Sequence, residues 1–173
     1  MDSSGDPVPE PASWAQMLAE VKGELELTGG VMLSGRIDRL DRHADGNLRV
    51  IDYKTGTPPS GTRVKALEAN QLALGLGIAV AGGLRHGDMP VPGGNAGAIE
   101  YWQLNGSRRE KGKRSNPLGK CADVPDHVTR ALIRAEQLVA QYLLSQTPFP
   151  AKLQPQWAWG DFDHLARVAE WIN

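Results

Sequence analysis

The sequence predicts an α/β domain whose mixed sheet opens with an antiparallel three-strand meander, followed by a helix that crosses to a fourth strand, with further helices flanking it. Three observations carry this. Apolar and polar residues alternate across residues 24–54, interrupted at Gly29-Gly30 and Asp45-Gly46, dipeptides that accept the positive φ of tight turns. An apolar stretch at 64–80 precedes a second alternating run at 98–104, the order expected of a helix crossing between strands. Residues 125–145 place Val128, Leu132, Ile133, Leu138, Val139 and Leu143 on one broad helical face, with Asp123 and Asp126 near its positive end.

Taken in order, residues 1–11 are proline-rich and acidic and read as a disordered lead, leaving 12–173 as one domain. Trp14, Met17, Leu18 and Val21 recur at helical spacing and predict a short helix that Gly23 cuts. Residues 24–28 and 31–42 form the first hairpin, and 48–54 the third strand. A loop at 56–61 holds Pro58-Pro59, and the helix at 64–80 carries Leu67, Leu72, Leu74, Leu76 and Ile78. Its Gly75 and Gly77 each cost about 1 kcal/mol relative to alanine, which implies close packing against the sheet. Residues 82–97 read as a Gly- and Pro-rich loop and 105–120 as a polar, basic segment. The tail from Pro148 carries Trp157 and Trp159 and ends in a short helix at 163–171.

Composition narrows the chemistry. A chain of 173 residues can bury one core without disulfides. With 19 basic and 20 acidic residues the net charge is −1, so there is no basic shell and any contact with a polyanion is local. The single cysteine, Cys121, excludes an internal disulfide and any four-cysteine zinc or iron–sulfur site built from this chain alone, and suits a reducing, cytoplasmic setting. The N-terminus lacks the apolar core of a secretory signal, and no apolar run approaches the ~20 residues that span a bilayer. A soluble protein with no membrane partner is expected.

The chemistry concentrates in Gly35-Arg36-Ile37-Asp38-Arg39-Leu40-Asp41 and Val50-Ile51-Asp52-Tyr53-Lys54-Thr55-Gly56. If Ala44-Asp45-Gly46 form a three-residue loop with Gly46 left-handed, the hairpin pairs Asp38 with Asp52. Both carboxylates then share a face with Lys54, while Ile51 and Tyr53 point to the other. Charge on an interior strand is costly unless something pairs with it. A divalent cation beside a lysine supplies that partner and suits phosphodiester hydrolysis, because the metal acidifies bound water and offsets developing negative charge. A solvent-facing ion pair is the plain alternative. Asp41, Asp45 and Arg36 read as turn-forming and surface-pairing residues. Arg108, Arg109, Lys111, Lys113 and Arg114 are candidates for following a DNA phosphate backbone, with a solvated loop as the alternative. Trp157 and Trp159 suit either base stacking or packing of the tail, and His164 reads as structural.

The two strings resemble the nuclease domain of the PD-(D/E)XK superfamily in its RecB/AddB branch. The strand with Tyr101-Trp102 and the ending Gly160-Asp161-Phe162-Asp163-His164-Leu165-Ala166-Arg167-Val168 resemble the C-terminal end of AddB proteins of the proteobacterial type. The resemblance implies a restriction-endonuclease-like core. It also implies Asp38 and Asp52 as metal ligands together with the Tyr53 backbone carbonyl, Lys54 as the catalytic lysine, and Gln71 as a further catalytic-site residue. The implied cofactor is Mg²⁺ or Mn²⁺ without an iron–sulfur cluster. The implied activity is a metal-dependent deoxyribonuclease, an exonuclease on single strands or ends, acting in double-strand break repair and recombination beside a helicase–nuclease partner subunit. The chain departs from the family pattern where a tyrosine usually follows the glutamine, a stretch occupied by Gly75 and its neighbours, and no histidine precedes His43. It carries no Walker-type phosphate loop, so nothing in it would drive translocation along DNA. The competing class is a catalytically inactive DNA-binding or assembly domain of a helicase–nuclease complex; a site-specific cutter would need a recognition region that is not visible.

Overall fold

The computed structural model describes residues 14–104, 112–119 and 122–148. The lead at 1–11, Arg108, Arg109, Lys111, Cys121, Trp157, Trp159, His164 and the helix expected at 163–171 lie outside the described residues.

Among the described residues, seven strands form one mixed sheet. Strand β1 (Ala15–Leu27) turns through a 3-10 segment at Thr28–Gly30 into β2 (Val31–Arg42), which turns again into β3 (Asn47–Lys54). Helices α1 (Gly61–Lys65) and α2 (Gln71–Val80) follow, then the short strands β4 (Leu84–His86) and β5 (Met89–Pro90). The chain continues through β6 (Asn95–Gln103), β7 (Lys113–Ser115) and the long helix α3 (Val124–Tyr142). Across the sheet the order is β5-β4-β1-β2-β3-β6-β7, with β3 and β6 parallel and the other neighbours antiparallel. The expected meander and crossing helix are present, and the architecture is that of a restriction-endonuclease-like α/β domain.

The helix expected from Trp14, Met17, Leu18 and Val21 is instead the first half of β1. The register of β1 against β2 shifts between Gln16 and Leu18, and Glu20 takes φ 53°. These irregularities let Leu18 and Val21, three residues apart, both face the core, and so imitate helical spacing within a strand. Gly23, read as a helix breaker, marks a close approach instead. A Cβ there would meet Leu84 Cδ2 at 2.5 Å and Ile78 Cγ2 at 2.7 Å.

The single helix expected at 64–80 is two. Leu67 adopts φ 59°, which ends α1 after one turn, and the chain restarts at Gln71. The glycines of α2 do pack closely, on two partners. A Cβ on Gly75 would lie 3.4 Å from Ile37 of the sheet, and one on Gly77 would lie 3.1 Å from Leu132 of α3. Strands β4, β5 and β7 occur in segments read as loop or polar run, because two or three residues are too few to show an alternation.

Helix α3 follows its sequence closely. Asp123 caps it, its Oδ1 accepting from Asp126 N at 2.9 Å, and Pro125 sits in the first turn. Its inner face brings Val124 and Val128 into the core with Leu72, Leu76, Ile99 and Tyr101. His127 is only 4% exposed, and its Nε2 is buried without a hydrogen-bond partner. Burial, then the charge of Arg130, lowers its pKa against the opposing pull of Asp126. In the native state it therefore binds a proton less readily than in the unfolded chain. Its contribution to stability is full above about pH 6.5 and is lost as pH falls from there toward the folded pKa. Urea midpoints should fall across that window, and His127→Gln should flatten the dependence; an unchanged slope in the variant would refute this origin.

Candidate active site

Strand β3 lies between β2 and β6, so a charged side chain on its helix-facing side is shielded from water by its neighbours. Leu48, Val50 and Asp52 alternate on that side, the first two in the core and the third just above it, at 4% exposure. Lys54 is the next residue outward. The turn places them: His43 N bonds Asn47 O at 2.8 Å, Gly46 has φ 87°, and Asp45 Oδ1 accepts from Asn47 N at 2.9 Å. Arg39 pairs with Ile51, Leu40 with Val50, Asp41 with Arg49 and Arg42 with Leu48, the register that a three-residue turn dictates.

The paired register ends at Arg39 and Ile51, one residue short of Asp38 and Asp52. Ile37 and Leu40 both bury in the core, so the alternation of β2 slips between them, at Asp38 and Arg39. Asp38 turns its carboxylate to β3, where Oδ2 accepts from Tyr53 N at 3.0 Å. Lys54 Nζ lies 2.9 Å from Asp52 Oδ2 and 3.4 Å from Gln71 Oε1. The interruption at Leu67 therefore matters to the site, because it makes Gln71 the first residue of α2, within reach of the lysine.

Burial pushes the Asp52 carboxyl above its ordinary pKa, and the Asp38 charge adds to this; the Lys54 ammonium and a hydrogen bond with Gln71 oppose it. Beside it on β6, Tyr101 is paired with Asp52 and almost wholly buried. Burial and the Asp52 charge push its hydroxyl up to about 12, so it forms a neutral wall of the site. A cleft of about 20 Å³ opens among Arg36, Asp38, Asp52, Gln71 and Gly75, room for one water or one cation. Asp52 Oδ2 is buried without an aligned hydrogen bond, Lys54 meeting it only as an ion pair.

These donors fit a hard divalent cation. The set is all oxygen, both carboxylates line a space of ionic size, and Asp52 Oδ2 is buried without an aligned hydrogen bond. Among the described residues no group of three or more His, Cys, Asp or Glu side chains could hold a metal. A cation here would complete its shell with water, backbone carbonyl and substrate phosphate, as Mg²⁺ does. Asp38 and Asp52, which both line the cleft, are the carboxylates that would hold it.

The far face of the sheet holds a second set of charges that sequence reading missed. Asp41 was expected in a turn or a surface pair; it is fully buried, 2.7 Å from Arg39 Nε and 2.6 Å from Arg49 Nη2. Glu100 takes Trp102 Nε1 at 2.7 Å, Arg114 Nη2 at 3.0 Å and Arg49 Nη1 at 3.3 Å. Burial raises the Glu100 pKa, but the hydrogen bonds from Trp102 and Arg114 and the charge of Arg49 outweigh it and hold the carboxyl below its usual range. Arg39 and Arg114 stack on Trp102, at 4.9 and 4.7 Å from the ring centroid, and the Tyr53 ring meets the same indole edge-on. The pairing of Asp41 with Arg49 was available from the turn register, three positions nearer the turn than the expected Asp38–Asp52 pairing, which the ladder stops short of.

The basic run divides. Lys113 pairs with Gln103, itself paired with Lys54, and shares the face of the site. Arg114 pairs with Trp102 and belongs to the far face, its guanidinium engaged by Glu100.

The family model of the PD-(D/E)XK nuclease superfamily matches residues 8–156. The chain belongs to this superfamily. No curated protein matches it in sequence. PD-(D/E)XK proteins are in general nucleases that use divalent metal ions, and the cleft between β2, β3 and α2 is where this member gathers two carboxylates, a lysine and a glutamine. No helix among the described residues is long and apolar enough to cross a membrane.

Proposed function

We propose that this PD-(D/E)XK domain is a Mg²⁺- or Mn²⁺-dependent deoxyribonuclease. The observation that carries the reading is the contact of Lys54 Nζ, 2.9 Å from the buried Asp52 Oδ2, beside the Asp38 carboxylate and a cleft of ionic size. A divalent cation bound there supplies Lewis acidity and an acidified water. Asp38 and Asp52 fix the cation's position, with the Tyr53 carbonyl as a third donor. Lys54 lies beside the carboxylate, placed to orient the attacking water and to neutralise charge on the phosphate. Gln71 steadies the ammonium. Water oxygen joins phosphorus and gives up a proton to solvent as the bond from phosphorus to the leaving nucleotide oxygen breaks, and that leaving oxygen takes up a proton from solvent.

The net charge of −1 gives no broad basic surface, which suits local engagement of a single strand or an end and hence exonucleolytic action. The resemblance of the motif to the RecB/AddB branch supports a role in processing DNA ends in repair and recombination, alongside a helicase–nuclease partner in the cytoplasm. Linear single- and double-stranded DNA incubated with Mg²⁺, Mn²⁺ or EDTA tests the reading. Shortened products are expected with metal and none with EDTA. DNA binding without any metal-dependent product would instead identify a non-catalytic DNA-binding or assembly domain.

A further inference from the structure

A glycine inside a strand weakens it, and is kept where another group must come close to the backbone. Among the described residues three strand positions are glycine: Gly23 in β1, Gly35 in β2 and Gly97 in β6. The protein itself accounts for two of them. A Cβ on Gly23 would meet Leu84 Cδ2 at 2.5 Å, and one on Gly97 would meet Asn47 Cβ at 2.9 Å. Gly35 is different. Apart from its chain neighbours, a Cβ there would meet only Ile78 Cδ1, at 3.8 Å, which is ordinary packing, and its φ is not positive. Neither crowding nor backbone conformation calls for a glycine at that position.

The space beside Gly35 is a slot of about 220 Å³ between β2 and α2. Leu33, Gly35 and Ile37 alternate onto the sheet face turned to α2, where Ile37 is in the core and Leu33 packs against it. Leu74 and Ile78 line the slot from the helix side. Leu33 and Leu74 are only half-buried and Gly35 is exposed, so the slot opens to solvent. One end of it is shared with the cation-sized cleft, since Ile37, Gln71 and Gly75 line both. The slot and the Asp38 and Asp52 carboxylates therefore lie on one side of the sheet, beneath the same helix. One water needs about 10–15 Å³ of such space, so the slot is too large for a water or an ion. The side chains that alternation turns into it are aliphatic, apart from Gln71 at the shared end.

We propose that this slot receives the nucleobase of the nucleotide next to the phosphodiester being cut. Three residues of strand, about 10 Å, separate Gly35 from Asp38, the reach of one nucleotide from its phosphate to its base. A flat heterocycle fits between helix and strand where a side chain at position 35 would intrude. Aliphatic walls hold the faces of a base and read none of its edges, so the slot accepts all four bases. The slot rests on the nuclease reading for its substrate and adds the place that grips the strand beside the cut.

The test compares the full chain with Gly35→Leu, which fills the slot, and Leu74→Ala, which removes part of one wall. Binding of a labelled oligothymidylate, and of an abasic strand of the same length, is measured with Ca²⁺ as the cation, and cleavage with Mg²⁺ separately. The wild type should prefer the thymidylate by about tenfold, the scale of one well-held base. Gly35→Leu should lose that factor on thymidylate, with KM raised to match, and Leu74→Ala should lose part of it; neither should change on the abasic strand. The melting temperature of Gly35→Leu should hold or rise, since a strand glycine is replaced and apolar surface is covered. A wild type that cuts DNA while both variants keep their thymidylate affinity and KM overturns the slot and leaves the nuclease reading standing. A wild type whose preference for thymidylate is lost in Gly35→Leu, but which never cuts, keeps the slot and overturns catalysis. A loss that is equal on both strands overturns the slot, because it does not depend on a base. Gly35→Leu melting well below the wild type overturns it too, since the protein itself would then close the space.

Discussion

Asp52→Asn should abolish metal-dependent cleavage, by at least about 10²–10³-fold in kcat, while leaving the domain as stable as the wild type or more so. The loss is the scale expected when a group that stabilises developing charge is removed. The stability effect has the opposite sign for a reason visible in the structure. The folded pKa of Asp52 is raised, chiefly by burial, so the folded protein holds the Asp52 proton more tightly than the unfolded chain does. Its contribution is therefore favourable at low pH and is lost as pH rises from the ordinary carboxylate range through the raised folded value. At neutral pH the buried carboxylate is a cost, and an amide of the same shape relieves it. Asp52 is thus kept in spite of the fold. Thermal melting in EDTA at neutral pH, paired with turnover in Mg²⁺, checks both halves. A variant that melts far below the wild type would assign Asp52 a structural role, and one that still cuts would dismiss it from the site.

Asp41→Ala should have the converse signature: a large loss of stability with the chemistry spared in whatever remains folded. Asp41 is fully buried and accepts from Arg39 and Arg49, and its removal leaves two guanidinium groups short of a counter-charge. Breaking a buried pair from one side costs about 3–5 kcal/mol. The lower end applies, because Arg39 is partly exposed and Arg49 keeps Glu100 at 3.3 Å. A loss of about 3 kcal/mol corresponds to roughly 6–12 °C in Tm for a chain of this size. Because Asp41 faces away from Asp52 across the sheet, kcat per folded molecule at low temperature should stay near wild type. Urea unfolding and single-turnover cleavage together separate the two effects. A shift in Tm of less than a degree would show that the arginines find other partners.

These two aspartates, on adjacent strands, show how much the sequence discloses. The turn at Asp45-Gly46 is local, and its chemistry sets the pairing of Arg39 to Arg42 with Leu48 to Ile51 whatever surrounds it. That register made the nearness of Asp38, Asp52 and Lys54 legible, and the same register carried the Asp41–Arg49 pair, which stayed unread because only one face was followed. Residues 12–22 misled for a physical reason. Two irregularities in β1 move apolar residues from period two to a spacing of three, and pattern alone cannot distinguish that from a helix turn. Residues 64–80 misled because a leucine at φ 59° carries no warning in its side chain.

By itself the sequence determined the α/β class, the β2–β3 hairpin, the capped amphipathic helix α3 and the identity of the charged residues at the strand ends, since each follows from the turn, cap and periodicity of a short stretch of chain. Only the tertiary structure decided which of those charges are dry, and which meet. Asp52 is shielded because β6 runs parallel beside it and α2 packs over it; Gln71 reaches Lys54 because the chain restarts its helix there; Leu84 comes against Gly23 because β4, far on in sequence, pairs with β1. Burial and cross-strand contact depend on segments tens of residues apart, and no local pattern encodes them.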